Sequence, residues 1–309
     1  MGPLRGLAAA LRALALALWT LGAWASWVTA PVFGTRTSSR LRLGIMRRWA
    51  RGCLAIFGAR VELVGAPPSP PFLLVSNHLG YLDVIVLASV APARFLSRAD
   101  VADWPGIGPI ARSAGTLFID RAAKRDLPKV IDRVRETFEA GHGVIFFPEG
   151  TSSGGADVLP FKASLFEFAA AGGLPVHCAS LAFERPPARP PAADTVCWWA
   201  DMTFGGHAWG LLARPGWSAR IAFAEGPVTA DDRKQLAAAA ERAVRGLFVP
   251  TDASRGVGAP IAAGDARDRA PGAGPGGEAP DPDGAGAATR DGEPTDADRP
   301  GRATPGDPA

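Results

Sequence analysis

Phe72-Leu73-Leu74-Val75-Ser76-Asn77-His78-Leu79-Gly80-Tyr81-Leu82-Asp83 is the stretch that decides the fold. Its first residues form a short apolar run, as a buried strand requires. Polar and glycine residues then break the run, and Leu82-Asp83 reads as the first turn of a helix. Working outward, the same alternation recurs. Apolar runs at Val61–Val64, Phe72–Ser76, Arg94–Ser97, Thr116–Ile119, Val144–Phe147, Val176–Phe183 and Arg220–Ala224 are separated by segments with helical patterning at 123–140, 162–172 and 229–247. Such alternation predicts an α/β sheet covered by helices. Thr229-Ala230-Asp231-Asp232 is a good helix entry, with acids placed for the first turn.

Upstream, residues 13–33 form a stretch of 21 residues without a charge. Roughly 20 apolar residues suffice to cross a bilayer. Arg5 and Arg12 precede it, Arg36, Arg40 and Arg42 follow, and Trp19, Trp24 and Trp27 suit an interfacial belt. A signal peptide is the competing reading, because Ala23-Trp24-Ala25 resembles a cleavage site. Residues 38–57 follow with Leu41, Ile45, Trp49, Leu54 and Phe57 near helical spacing and arginines elsewhere. They read as a basic amphipathic helix on anionic headgroups, or as a domain-packing helix with a solvated arginine face.

Charge sharpens this division. The formal net charge of +3 over 309 residues splits into +9 for residues 1–60, −1 for 61–250 and −5 for 251–309. A nucleic-acid binder should carry its basic charge on the folded body, and this body is neutral. The basic block beside an apolar segment points to a membrane surface instead. Cys53, Cys178 and Cys197 have no paired spacing, which excludes a disulfide scaffold and gives no zinc site. The last 59 residues hold 12 Gly, 9 Pro and no aromatic residue. Such a segment cannot bury enough surface to offset its ordering entropy, so 251–309 is expected to be a disordered acidic tail. The expected organisation is an anchor with a basic helix at 1–57, a catalytic domain at 58–250 and the tail.

Four blocks carry chemistry. In the first, His78 can take a proton near neutral pH, and a carboxylate on one ring nitrogen leaves the other free as a base. Asp83 can do this if His78 sits on the strand-to-helix turn and Asp83 on the first helical turn. The second block, Gly115-Thr116-Leu117-Phe118-Ile119-Asp120-Arg121, ends a strand with an arginine able to grip a phosphate or carboxylate. Alone, it reads equally as a surface ion pair. The third runs from Val144 through Phe147, Pro148, Glu149, Gly150 and Thr151 to Ser152 and Ser153. Its small polar turn can hold an anion, and Glu149 can bind a hydroxyl. The fourth is Leu174-Pro175-Val176-His177. His142, His177 and His207 lack partner patterns and are expected to serve packing or capping.

In order and spacing, NHLGYLD (77–83), GTLFIDR (115–121), FPEGTSS (147–153) and LPV (174–176) resemble the four blocks of the glycerolipid acyltransferase family. The likeness is greatest to the bacterial 1-acylglycerol-3-phosphate acyltransferases and covers about residues 60–230. The resemblance implies His78 as general base with Asp83 as its partner. It implies acceptor binding by Asn77, Arg121, Phe147, Pro148, Glu149, Gly150 and Thr151. It implies acyl-CoA or acyl carrier protein as donor, a lysolipid acceptor, membrane lipids as partners, and no bound cofactor or metal. Many phosphate-using members carry arginine where this chain has Ser152, and Lys162 is the nearby substitute. The expected reaction is acylation of 1-acylglycerol-3-phosphate to phosphatidate. The alternative is acylation of lyso-ornithine lipid, which the Thr-Ser-Ser version resembles; a non-catalytic lipid-binding protein ranks below both. Because the donors are cytosolic, the anchor should be retained and the catalytic domain should face the cytoplasm at the inner membrane. The fold expected is α/β, a mixed, mostly parallel sheet flanked by helices. An N-terminal membrane helix or two-helix hairpin precedes it.

Overall fold

The computed structural model describes residues 3–33, 35–91, 93–119 and 127–253. Its centre is a seven-stranded sheet: β1 (Ala59–Val64), β2 (Leu73–Ser76), β3 (Ala93–Arg98), β4 (Leu117–Ile119), β5 (Gly143–Phe146), β6 (Val176–Glu184) and β7 (Trp217–Phe223). The order across the sheet is β1-β7-β6-β2-β5-β3-β4. Every neighbouring pair is parallel except β6 and β7, which run antiparallel. The sheet is therefore mixed and mostly parallel, as expected. Both faces are covered, which is why the central strands read as unbroken apolar runs.

Successive side chains of a strand point to opposite faces, and the core divides accordingly. Leu74, Ile145, Leu181 and Ile221 face one layer, with α2 (Thr35–Phe57), α3 (Leu82–Val90) and α8 (Phe204–Ala213). Leu73, Val75, Val144 and Phe146 face the other, with α5 (Leu127–Glu139), α6 (Glu167–Ala171) and α9 (Arg233–Leu247). Two short helices complete the set, α4 (Ile107–Ala114) and α7 (Ala192–Thr195). Asp232 caps α9, its carboxylate accepting from the amides of Lys234 (2.9 Å) and Gln235 (3.0 Å).

The first two helices form a hairpin laid on the body. In α2, Met46, Ala50, Cys53, Leu54 and Phe57 are buried at helical spacing. Arg47 and Arg51 both donate through Nε to the Ser89 carbonyl near the end of α3 (3.3 and 3.2 Å). Cations suit that position, where the helix presents unpaired carbonyls. Ahead of α2 runs α1 (Pro3–Thr29), long and apolar enough to cross a membrane. One stripe of α1, including Ala9 and Trp27, is buried. Leu4, Leu7, Leu11, Leu14, Leu18 and Leu21 are exposed along another. Arg12 donates to the Leu212 carbonyl of α8 (3.1 Å), and Trp19 and Trp27 donate to the α2 carbonyls of Trp49 and Arg42 (both 3.0 Å). Contacts to the body thus run along most of the helix.

At the other end, Thr251 and Asp252 are buried. The Thr251 amide donates to Gly155 (2.8 Å) and the Asp252 amide to Phe183 (3.0 Å). The Asp252 carboxylate accepts from the amides of Arg185 (3.3 Å), Ala192 (2.6 Å) and Ala193 (3.2 Å). The segment expected to be a disordered tail lies outside the described residues from position 254 onward.

Candidate active site

His78 follows β2 at the carboxyl edge of the sheet, on the turn that leads into α3. Its Nδ1 lies 2.7 Å from Asp83 Oδ2. The same oxygen accepts the amides of Leu79 (2.6 Å) and Gly80 (3.0 Å), so the carboxylate fixes the turn as well as the ring. Asp83 is fully buried while 23% of the His78 side chain is open to solvent. With Nδ1–H held by Asp83, Nε2 is left as the proton acceptor. The ring stacks on Phe147, with centroids 4.2 Å apart and planes 13° apart. A neighbour across the sheet, Phe95, stacks in turn on Phe147 at 6.4 Å. The imidazole is therefore gripped on one face and at one edge.

The tightness of the turn explains Gly80. It has φ +142°, and a Cβ there would lie 2.8 Å from the Trp198 amide nitrogen. That amide donates to the Leu79 carbonyl (2.8 Å), sealing the turn from outside. Gly150 has φ +76°, a left-handed conformation that glycine adopts without strain.

Glu149 joins the first and third blocks. Its Oε2 accepts the His78 amide (3.1 Å), and Oε1 accepts the Leu159 amide (3.0 Å). The Ser153 amide donates back to the His78 carbonyl (2.9 Å). Burial pushes the Glu149 carboxyl up to about 8, against the pull of those two amides; the Asp83 charge adds to the rise and Arg245 opposes it. The loop that supplies Leu159 is held from α9. There Arg245 bonds Asp157 (2.6 Å), Glu241 (3.0 Å) and the Val158 carbonyl, while Glu241 accepts the Phe161 amide (2.9 Å).

Asn77 is turned inward. Its side chain donates to the Leu181 carbonyl (2.9 Å) and accepts the Leu181 amide (2.7 Å), mimicking a strand residue beside β6. Pro148 is buried, and its carbonyl accepts the Lys162 amide (2.9 Å). Thr151 and the Lys162 side chain are exposed, and Ser152 is half-buried. Arg121 lies outside the described residues. Thus His78, Asp83, Phe147 and Glu149 converge in one place, whereas Asn77 is built into the sheet.

Other partners gave no sequence signal. Tyr81 Oη lies 3.0 Å from His207 Nδ1, and its ring packs edge-on against Trp198 and Phe204. Burial pushes the Tyr81 hydroxyl well above its ordinary value and lowers His207. Leu159 and Leu181 act through main-chain groups, which no residue type announces.

Residues 60–182 match a family model described as Acyltransferase. Over 207 residues the chain is 39% identical to a lyso-ornithine lipid O-acyltransferase of Rhodobacter capsulatus, covering 63% of this chain and 72% of that one. The chain belongs to the acyltransferase family. A second acyltransferase, the lyso-ornithine lipid O-acyltransferase of Pseudomonas aeruginosa, is 32% identical over 70% of this chain and 84% of its own length. A 1-acyl-sn-glycerol-3-phosphate acyltransferase of Neisseria meningitidis is 35% identical over 48% of this chain and 62% of its own. The chain is thus an acyltransferase among enzymes of lipid biosynthesis, and the acyltransferase match spans all four sequence blocks.

Proposed function

We propose that the protein transfers an acyl group from acyl-CoA or acyl carrier protein to the hydroxyl of a lysolipid, with lyso-ornithine lipid as acceptor. The observation that carries the chemistry is the 2.7 Å contact between His78 Nδ1 and Asp83 Oδ2. His78 Nε2 takes the proton of the acceptor hydroxyl. The oxygen attacks the thioester carbonyl, the C–S bond breaks, and His78 returns the proton to the departing thiolate. Base catalysis of this kind contributes roughly 10²–10⁴-fold, and positioning adds to it. Asp83 steadies the imidazolium formed on the way.

Ser152 favours the acceptor. A hydroxyl cannot supply the two parallel bonds by which a guanidinium grips a phosphate. An ornithine headgroup carries an amino acid in place of the phosphate. Two of the relatives that cover most of their own length bear the corresponding name. The second reading, 1-acylglycerol-3-phosphate as acceptor, draws on the name of the Neisseria relative and on the expected role of Arg121. Purified full-length protein given labelled donor with each lysolipid separately tests the choice. Faster turnover of lysophosphatidate would overturn the ornithine assignment.

The exposed leucine row of α1 supports a seat on the membrane. Ala9, Ala13, Ala23 and Trp27 face the body and a row of leucines faces outward, the arrangement that suits protein packing on one side and lipid on the other. Because α1 is bonded to the body from Arg12 to Trp27, the reading is a helix lying along one leaflet. A cytoplasmic orientation at the inner membrane follows from the cytosolic donors.

A further inference from the structure

The edge of the sheet opposite the active site holds a cluster of cations that the chemistry does not use. β5 and β2 are parallel, so His142, just before β5, lies at the far edge from His78. Arg94 sits on β3 beside Val144 of β5, which brings it next to His142. Arg42 of α2 is fixed over the same edge, its carbonyl accepting from Trp27 at the end of α1. Arg42 Nε and His142 Nε2 are both shut away from solvent without a hydrogen-bond partner among the described residues. Arg42 Nε can only donate, and a buried donor left unpaired is costly, which points to a ligand that supplies an acceptor oxygen.

The charges agree. Burial lowers Arg94 from its usual value, and Arg42 lowers it further; Glu136 is the carboxylate that opposes this. Burial also lowers His142, and so do Arg94 and Arg40, against a backbone hydrogen bond to Gly141. Arg42 thus presses on Arg94, and Arg94 and Arg40 press on His142, while Glu136 opposes the shift at Arg94.

We propose that Arg40, Arg42, Arg94 and His142 form a binding site for the phosphate of an anionic membrane-lipid headgroup. Continuity with α1 identifies the occupant. The exposed apolar row ends at Val28 and Val32, just before the segment that carries Arg40 and Arg42. A helix in the acyl region delivers those arginines to headgroup depth. The other end of α1 rests on α8, which also carries His207, the partner of Tyr81 beside the catalytic turn. A lipid held at the arginine end would therefore set how the active-site edge meets the bilayer.

The site rests on the membrane reading above, and one experiment separates the two. Full-length protein is sedimented with vesicles of phosphatidylcholine alone and of phosphatidylcholine with phosphatidylglycerol. Wild type should bind both, and the anionic vesicles about twenty-fivefold more tightly, taking about fivefold for each of two arginines. Arg42→Gln with Arg94→Gln should abolish that preference and keep binding to neutral vesicles. Arg60→Gln, an exposed arginine elsewhere, should leave the preference intact. If the double variant melts early, Arg42→Gln alone should still lose about fivefold. A double variant that keeps the preference, or an Arg60→Gln that loses as much of it, overturns the site. Wild type that ignores neutral vesicles overturns the membrane reading instead. A melting shift from inorganic phosphate equal to that from short-chain phosphatidylglycerol would overturn the lipid assignment.

Discussion

Glu149 shows how one buried carboxylate can act through the backbone. Its two oxygens hold the amides of His78 and Leu159, and we infer that it braces the proposed base. Either form of the glutamate carboxyl can turn an oxygen to each amide, whereas glutamine has one acceptor oxygen and sets its NH2 group against the other amide. Glu149→Gln should therefore lower kcat while leaving KM for the acceptor little changed; a raised KM at constant kcat would place Glu149 on the acceptor. It should also alter the pH dependence of stability. The folded carboxyl titrates at about 8, against an ordinary value of 4.5. Between those values the folded state keeps a proton that the unfolded chain releases. Stability from this group is full below 4.5 and is lost as pH rises through 8. Urea midpoints measured between about pH 5 and about pH 9 should fall less steeply in Glu149→Gln. Ser152 makes a separate prediction. Ser152→Arg should raise kcat/KM for lysophosphatidate roughly tenfold or more, the worth of a charged hydrogen-bond pair. Unchanged selectivity would mean that position 152 does not face the headgroup.

At the scale of elements, the strands were legible and some of their relations were not. β2 and β5 stood out because both of their faces are covered, leaving no polar alternation. The antiparallel run of β7 leaves no mark on composition, so its direction was not readable. α8 was missed because its apolar residues flank Gly205, Gly206 and Gly210, which weaken a helical signal. The catalytic turn was legible as a strand followed by polar residues and a glycine. Its brace was not, because Glu149 binds amides that belong to residues of any type. The carboxyl end carries the same lesson. Composition changes near position 251, yet Thr251 and Asp252 are interior residues. Removing 254–309 should leave the melting temperature and acyl transfer nearly unchanged. Starting the deletion at 251, or making Asp252→Ala, should cost about 2–4 kcal/mol by stripping three amides of their acceptor. Equal melting temperatures for the two truncations would contradict that role.

At the scale of the molecule, the uneven charge has a structural counterpart. Two arginines of the basic segment are committed to the fold through Ser89, and Arg42 belongs to the cluster at the far edge of the sheet. The near-neutral body carries the four blocks. Its carboxyl edge holds the proposed base, its amino edge the proposed cation site, and α1 bridges the two along the leucine-lined side. Whether this assembly performs acyl transfer through His78 is the central claim. It is tested most directly by acyl transfer from labelled donor to lyso-ornithine lipid, comparing wild type with His78→Ala at equal protein and matched melting temperature. A loss of about 10²–10⁴-fold in kcat with lysolipid binding retained is the predicted result. Turnover in His78→Ala within a few-fold of wild type would contradict it.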